Sequence, residues 1–178
     1  MLRTPAPLIG ALAVMEKWRI YIREAITELT HARHCYSKFE KSLSFEDIQG
    51  IFLHLHHFIV HIANTDKLLR PHPNTARAQL LGEKIDLNGI DLKSFRRLRN
   101  HLEHFDERLD GWVENYDGHT FFDRNVVTGT KGFPPKAYLR ALDGDTYKFQ
   151  GEDYDLAGRS KAVDALIQIL KKADRHDG

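Results

Sequence analysis

One cysteine, Cys35, stands among 178 residues, so no disulfide can close within the chain and a reducing, cytoplasmic setting is expected. Neither glycines nor acids flank Cys35, and it reads as an ordinary thiol rather than a nucleophile. Charge of one sign is also scarce. The formal net charge is +1, so any nucleic-acid contact must come from a local basic patch rather than from the field of the whole molecule. Runs of about 18 apolar residues are missing, which leaves nothing to span a membrane. The short apolar run from Leu8 to Val14 follows Pro5 and Pro7 and leads into Glu16-Lys17-Trp18-Arg19. It reads as the start of a helix, not as a secretory signal. Internal repeats and low-complexity segments are missing as well.

What the chain does have is the composition of a globular domain, 42% hydrophobic and 29% charged, with enough length for one hydrophobic core. A single domain over 1–178 is expected. Helical spacing is carried over about 8–38 by Leu8, Leu12, Met15, Ile22, Ile26 and Leu29. Ser44 reads as the N-cap of a second long helix, with Glu46 and Asp47 in its first turn. The buried stripe of that helix is Ile48, Ile51, Phe52, Leu55, Ile59 and Ile62, and Pro71 and Pro73 stop it. A shorter helix over about 74–85 leads through Asn88-Gly89 to a third long one, about 92–114, with the stripe Phe95, Leu98, Leu102, Phe105, Leu109 and Trp112. Aromatic and β-branched residues then replace the helical pattern over 121–127, and two short strands, 137–142 and 146–150, flank the turn Asp143-Gly144-Asp145. A last helix over about 156–173 buries Val163, Leu166, Ile167 and Leu170. The expected fold is mainly all-α: a four- to five-helix up-and-down bundle, with a small β-hairpin insertion at about 119–152 before the last helix.

The chemistry is concentrated in Arg99-Asn100-His101-Leu102-Glu103-His104. With about 100° per residue, Asn100, Glu103 and Glu107 fall opposite the apolar stripe, while Arg99 and His104 flank that polar face about 140° apart. Both are expected to look outward, over solvent or a second subunit. Their Cα atoms are separated by only about 7.5 Å along the axis, so the two side chains can converge on one phosphate. RNA is cut when its own 2′-hydroxyl attacks the neighbouring phosphorus. Such a step needs a group that moves protons near neutral pH, which histidine supplies, and a fixed cation for the phosphoryl oxygens, which arginine supplies. Asn100 can orient Arg99 or donate to the phosphate. His101, Glu103, His57 and His61 are candidates for supporting roles. No metal, cofactor or covalent intermediate is needed.

Arg99-Asn100-x-x-x-His104 resembles the Arg-x4-His motif of HEPN domains, in which a polar residue commonly follows the arginine. Long helices with the motif on a late one are similar to that superfamily too. The resemblance implies a metal-independent endoribonuclease of toxin or defence type, working as a homodimer whose two motifs face one cleft. RNA is then the substrate, and an antitoxin or regulatory protein a further partner. It equally admits a noncatalytic module that binds a nucleotide or a partner, because the superfamily contains such members. The segment 119–152 has no counterpart in the family pattern. Arg99 and Glu103 also form an i,i+4 pair of the kind found on any solvated helix. Glu103, Asp106, Glu107 and Asp110 must turn away or pair with Arg96, Arg97 and Arg108 if a phosphate is to approach.

A competing cluster lies on the second helix. His54, His57 and His61 share one flank, and His57 and His61 have the i,i+4 spacing that can hold two positions on a metal. With His101 or His104 added they make the alternative of a histidine-dependent metallohydrolase. The signature His-Glu-x-x-His is missing, and a polar flank between packed helices is the other reading of the same residues.

Overall fold

The computed structural model describes residues 17–90, 93–115, 122–129, 134 and 137–176. The expected early turns of the first helix at Leu8, Leu12 and Met15, and the starting residues Leu92 and Phe121 of two later elements, lie outside these. Six helices and a four-stranded sheet make up the described residues, so the protein is mainly helical.

The two longest helices, α1 (Lys17–Ser44) and α2 (Ile48–Leu69), pack along each other. In α1 the buried positions Trp18, Ile22, Ala25, Leu29, Ala32, Tyr36 and Phe39 alternate steps of four and three, a stripe that stays on one face. Ile51, Leu55, Phe58, Ile62 and Leu69 form the facing stripe of α2. Contacts run in opposite directions along the two sequences: Glu28 meets His61, and the Tyr36 ring meets Phe58 at a tilt, 5.0 Å between ring centres. The helices are therefore an antiparallel pair.

The link between them corrects two expectations. Ser44 is the last residue of α1, its hydroxyl donating to the Lys41 carbonyl, and the N-cap of α2 is Asp47, whose carboxylate accepts from the Gly50 N–H at 3.0 Å. Phe39 and Ser42 are buried, so α1 continues past the end that its early apolar spacing suggested. Starting the second helix at Ile48 also turns that side chain outward, 41% exposed, rather than into the stripe. Gly50 is required beside the cap, since an added Cβ would run into the Asp47 carboxylate and the Ser42 hydroxyl. Gly50→Ala is expected to destabilise the protein by about 1–2 kcal/mol, the worth of a lost cap. An unchanged thermal midpoint would show that Asp47 caps nothing that matters.

Helix α3 (Ala76–Lys84) is capped by Thr75, and α4 (Lys93–Glu103) packs on α2 with Phe95 and Leu98 fully buried. The Phe95 ring meets Phe58 edge-on at 5.9 Å. The long helix expected over 92–114 is not straight. His104 leaves helical geometry (φ −103°, ψ 38°), and α5 (Phe105–Glu114) starts a new direction. The ladder bonds from the His104 N–H to the Asn100 carbonyl and from the Arg108 N–H to the His104 carbonyl persist at 3.1 Å each. The chain bends here without unravelling.

Strands β1 (Phe122–Val127), β2 (Tyr138–Asp143), β3 (Thr146–Phe149) and β4 (Glu152–Asp155) form one sheet in that order. β2, β3 and β4 are antiparallel neighbours, whereas β1 lies parallel to β2. The expected hairpin is thus the centre of a larger sheet. β4 extends beyond the expected limit of 152, and its two inner-facing residues are too few to show as a periodic pattern. The last helix, α6 (Leu156–His176), buries Val163, Leu166, Ile167 and Leu170 against α1, and Arg23 pairs with Asp174 across that contact at 3.2 Å.

The sheet sets the position of α4 and α5. The Phe149 ring lies 5.6 Å from His101, Arg97 pairs with Glu152 at 2.5 Å, and the Gln150 amide donates to the Arg108 carbonyl at 2.9 Å. Arg140 of β2 covers the Phe105 ring at 4.3 Å. No proline or glycine stands at the bend, so these tertiary contacts are its cause.

Candidate functional site

Helix α4 carries the motif, and what holds α4 is an ionic contact beneath it. Asp66 of α2 is fully buried. Its carboxylate lies 2.5 Å from the Arg96 guanidinium and 3.8 Å from that of Arg70. Arg96 also donates to the carbonyls of Asp66 and Arg70, and Arg70 donates to the Ile90 carbonyl. The anchor Arg96 lies three positions before the motif arginine on α4.

Arg99 and His104 have different environments. The Arg99 side chain is 14% exposed, its Nη2 engaged by the Glu103 carboxylate and its Nη1 buried without a hydrogen-bond partner. The expectation that Arg99 looks outward is therefore corrected, because most of the guanidinium is covered. His104 does face outward, with its side chain 59% exposed and Nδ1 3.6 Å from Glu107. The bend at His104 puts this side chain at a corner, where it makes no capping bond to α5. Asn100 is exposed, and its side chain makes no hydrogen bond to a described residue.

His101 is partly buried beside Phe149, and its Nδ1 has no partner. Burial lowers its pKa, and the nearby Arg108 and Arg97 push the same way, against the opposing pull of Glu152. The folded protein thus holds His101 neutral while the unfolded chain protonates it near its ordinary value of about 6.5. The stability it supports is complete above that value and is lost as the pH falls below it, because the unfolded state then binds the extra proton. His101→Gln is expected to flatten the drop in thermal midpoint between about pH 7.5 and about pH 5.5. Parallel curves for parent and variant would exclude His101 as the source.

Glu103 takes the i,i+4 partner that the sequence offered, Arg99, rather than Arg96 or Arg97. Arg96 is held by Asp66 and Arg97 by Glu152, which leaves Glu103 on Arg99 and Glu107 beside His104.

The histidines of α2 do not assemble with the motif. His61 bonds Glu28 at 3.0 Å and meets the His31 ring edge-on at 5.2 Å. His57 pairs with the His56 ring at 5.8 Å, while His54 lines a cavity on the side of Phe52 and Leu53. Among the described residues, no group of three or more histidines, cysteines or carboxylates is placed to hold a metal ion. The proposed ligands His54, His57 and His61 turn to separate neighbours. Cys35 is buried, which raises its thiol pKa and suits an unreactive role. Among the described residues no helix is long and apolar enough to cross a membrane.

Three functional candidates were not visible in the motif analysis. Asp66 had one sequence signal, an acid at a stripe position between Ile62 and Leu69. Arg124 and Arg140 had none, because their placement depends on how β1 pairs with β2. Comparison with protein-family models, with curated proteins and with solved structures gives no match to this chain.

Proposed function

We propose that this chain is a HEPN-like domain that cuts RNA without a metal, as a homodimer in which two copies of the Arg99/His104 face share one cleft. The observation that carries this reading is the pair itself: a mostly buried guanidinium with Nη1 unpartnered, one helical turn before an exposed imidazole at a bend. A buried unpaired donor of this kind is costly and suits a site that waits for an anion. Arg99 neutralises the charge that grows on the phosphoryl oxygens. His104 removes the 2′-hydroxyl proton as that oxygen bonds to phosphorus. The bond from phosphorus to the 5′-oxygen breaks, and the partner subunit's His104 returns a proton to the leaving oxygen. The products are a 2′,3′-cyclic phosphate and a 5′-hydroxyl. Asn100, which makes no side-chain hydrogen bond to a described residue, positions the phosphate or Arg99. The up-and-down bundle layout, with the sheet as an insertion, belongs to the same reading.

The exposed face of the motif brings one histidine per chain, His104, whereas the reaction needs an acid and a base. The dimer follows from that requirement. A second reading is favoured by the ion pairs: Glu103 occupies Arg99 and Glu107 stands beside His104, as in a noncatalytic module that binds a partner through this face. Incubating the protein with mixed single-stranded and structured RNA in EDTA separates the two. Cleavage with cyclic phosphate ends supports the nuclease, and intact RNA with a folded dimer supports the binding module.

A further inference from the structure

Between the first turns of α2 and the sheet lies a cavity of about 700 Å³, in the range of small-molecule sites. Its lining includes Gln49, His54, Leu102, Arg124, Arg140 and Tyr147, but neither Arg99 nor His104. Three features mark it as built for a ligand. Tyr147 is 3% exposed, yet its hydroxyl makes no hydrogen bond to a described residue. Buried hydroxyls normally find a partner, and Tyr147 lines the cavity, where a ligand can supply one.

The second feature is Arg124. Its backbone is left-handed (φ 53°), a conformation that a long side chain adopts only against a cost. The pairing shows why it is there. Asp123 faces Arg140 and Asn125 faces Ala141, so Arg124 is the extra residue of a bulge, left out of the ladder. Arg124 makes no ion pair or hydrogen bond with a described residue. Arg124 is exposed and lines the cavity, so its cation stands where an incoming anion can reach it.

The third feature is Arg140. Two of its donors hold Asp123 at 2.7 and 2.6 Å and its plane lies on Phe105, so the group is fixed while three donors remain. The acids nearby are already engaged: Asp47 accepts from the Gly50 N–H, and Asp123 is held by Arg140. Burial pushes the Tyr147 phenol far above its ordinary range, which keeps its proton available for donation. The apolar part of the lining is Phe52, Leu53 and Leu102, beside the polar Gln49, His54 and His56.

We propose that this cavity binds a phosphate ester with a flat or apolar body, its phosphate held by Arg124, Arg140 and Tyr147 and its body laid on Phe52, Leu53 and Leu102. The lining offers both donors and apolar side chains, and the volume exceeds what inorganic phosphate alone would fill. The ester can come from a free mononucleotide or from a strand of RNA. The cavity shares α4 with the motif through Leu102 but needs none of its chemistry.

Titration of the full chain with adenosine 5′-monophosphate, followed by calorimetry, tests the assignment. Binding is expected, with adenosine at least about tenfold weaker. Tyr147→Phe, which keeps the ring, and Arg124→Gly should each weaken it about tenfold. Arg124→Gly is expected to fold at least as well as the parent, because glycine takes the left-handed backbone without cost. The double variant Arg99→Ala, His104→Ala should bind the nucleotide as the parent does, so this assignment stands or falls apart from the nuclease. Displacement of the nucleotide by a single-stranded oligoribonucleotide would identify a strand as the source, and its failure a free ester. The proposal is overturned if the nucleotide does not bind, if adenosine binds equally well, or if both variants bind unchanged.

Discussion

If the proposed nuclease reading holds, Arg99→Ala and His104→Ala are each expected to leave a folded protein that no longer cleaves RNA measurably. Removing a positioned proton-transfer group costs about 10²–10⁴ in rate, and removing one preorganised donor to a developing oxyanion costs about 10²–10³. The two losses should not add, since the proposed mechanism has both residues act on one phosphate in one step. Folding should survive both changes. His104 is 59% exposed, with only a 3.6 Å approach to Glu107 to lose, and Arg99 gives up one i,i+4 pair worth a few tenths of a kcal/mol, beyond the packing of its stem. Following the appearance of cyclic phosphate ends in EDTA, alongside circular dichroism of each variant, is the measurement. Equal cleavage by parent and variants would mean that the activity belongs to a contaminant or to another site. Activity that requires a divalent metal would mean that the assigned chemistry is wrong.

Asp66→Ala produces the largest loss of stability expected from any single polar change in the chain. The carboxylate is fully buried, and Arg96 and Arg70 are turned toward it. Taking one partner out of a buried ionic contact costs about 3–5 kcal/mol, because the remaining charge is left uncompensated. The lower end applies here, since the Arg96 side chain keeps 40% of its exposure and can regain water. For a chain of this size, about 3 kcal/mol lowers the melting temperature by about 6–12 °C. Asp66→Asn, which keeps the shape and loses the charge, should fall between parent and alanine variant. Denaturant midpoints check both. A change below about 1 kcal/mol would show that α4 is seated by Phe95 and Leu98 alone.

The consequence for the motif is direct. Arg96 is fixed by Asp66 on one side of α4, and Arg97 by Glu152 on another. The helix cannot rotate without breaking both, so the direction of Arg99 and the corner at His104 are set by residues outside the motif.

Much of the helical architecture was legible in the chain. Steps of three and four residues placed the buried faces of α1, α2, α4 and α6, because an amphipathic helix must repeat its apolar side every 3.6 residues. Caps were legible only in type. Ser44 and Asp47 are both good N-cap residues, and the choice between them falls to Asp47 because Ser42 is buried inside a longer α1. The sheet was legible at its turn, where Asp143-Gly144-Asp145 offers a left-handed glycine (φ 57°), but not in its parallel strand. A parallel partner leaves no local mark, since the two strands meet through a long connection.

By itself the sequence determined the mainly helical composition of the domain, the apolar stripes that seat its helices, and the presence of an arginine and a histidine at Arg-x4-His spacing. Those properties depend on neighbours within one or two turns, which the order of residues fixes. Only the tertiary structure decided that Arg99 is covered while His104 stands at a corner. It also decided that Asp66 holds α4 from below and that Arg124, Arg140 and Tyr147 meet around one cavity. These are contacts between residues far apart along the chain, where Phe105 turns under Arg140 and a bulge moves Arg124 out of the ladder. The energies that settle them come from packing and from pairing buried charge, which no local pattern carries.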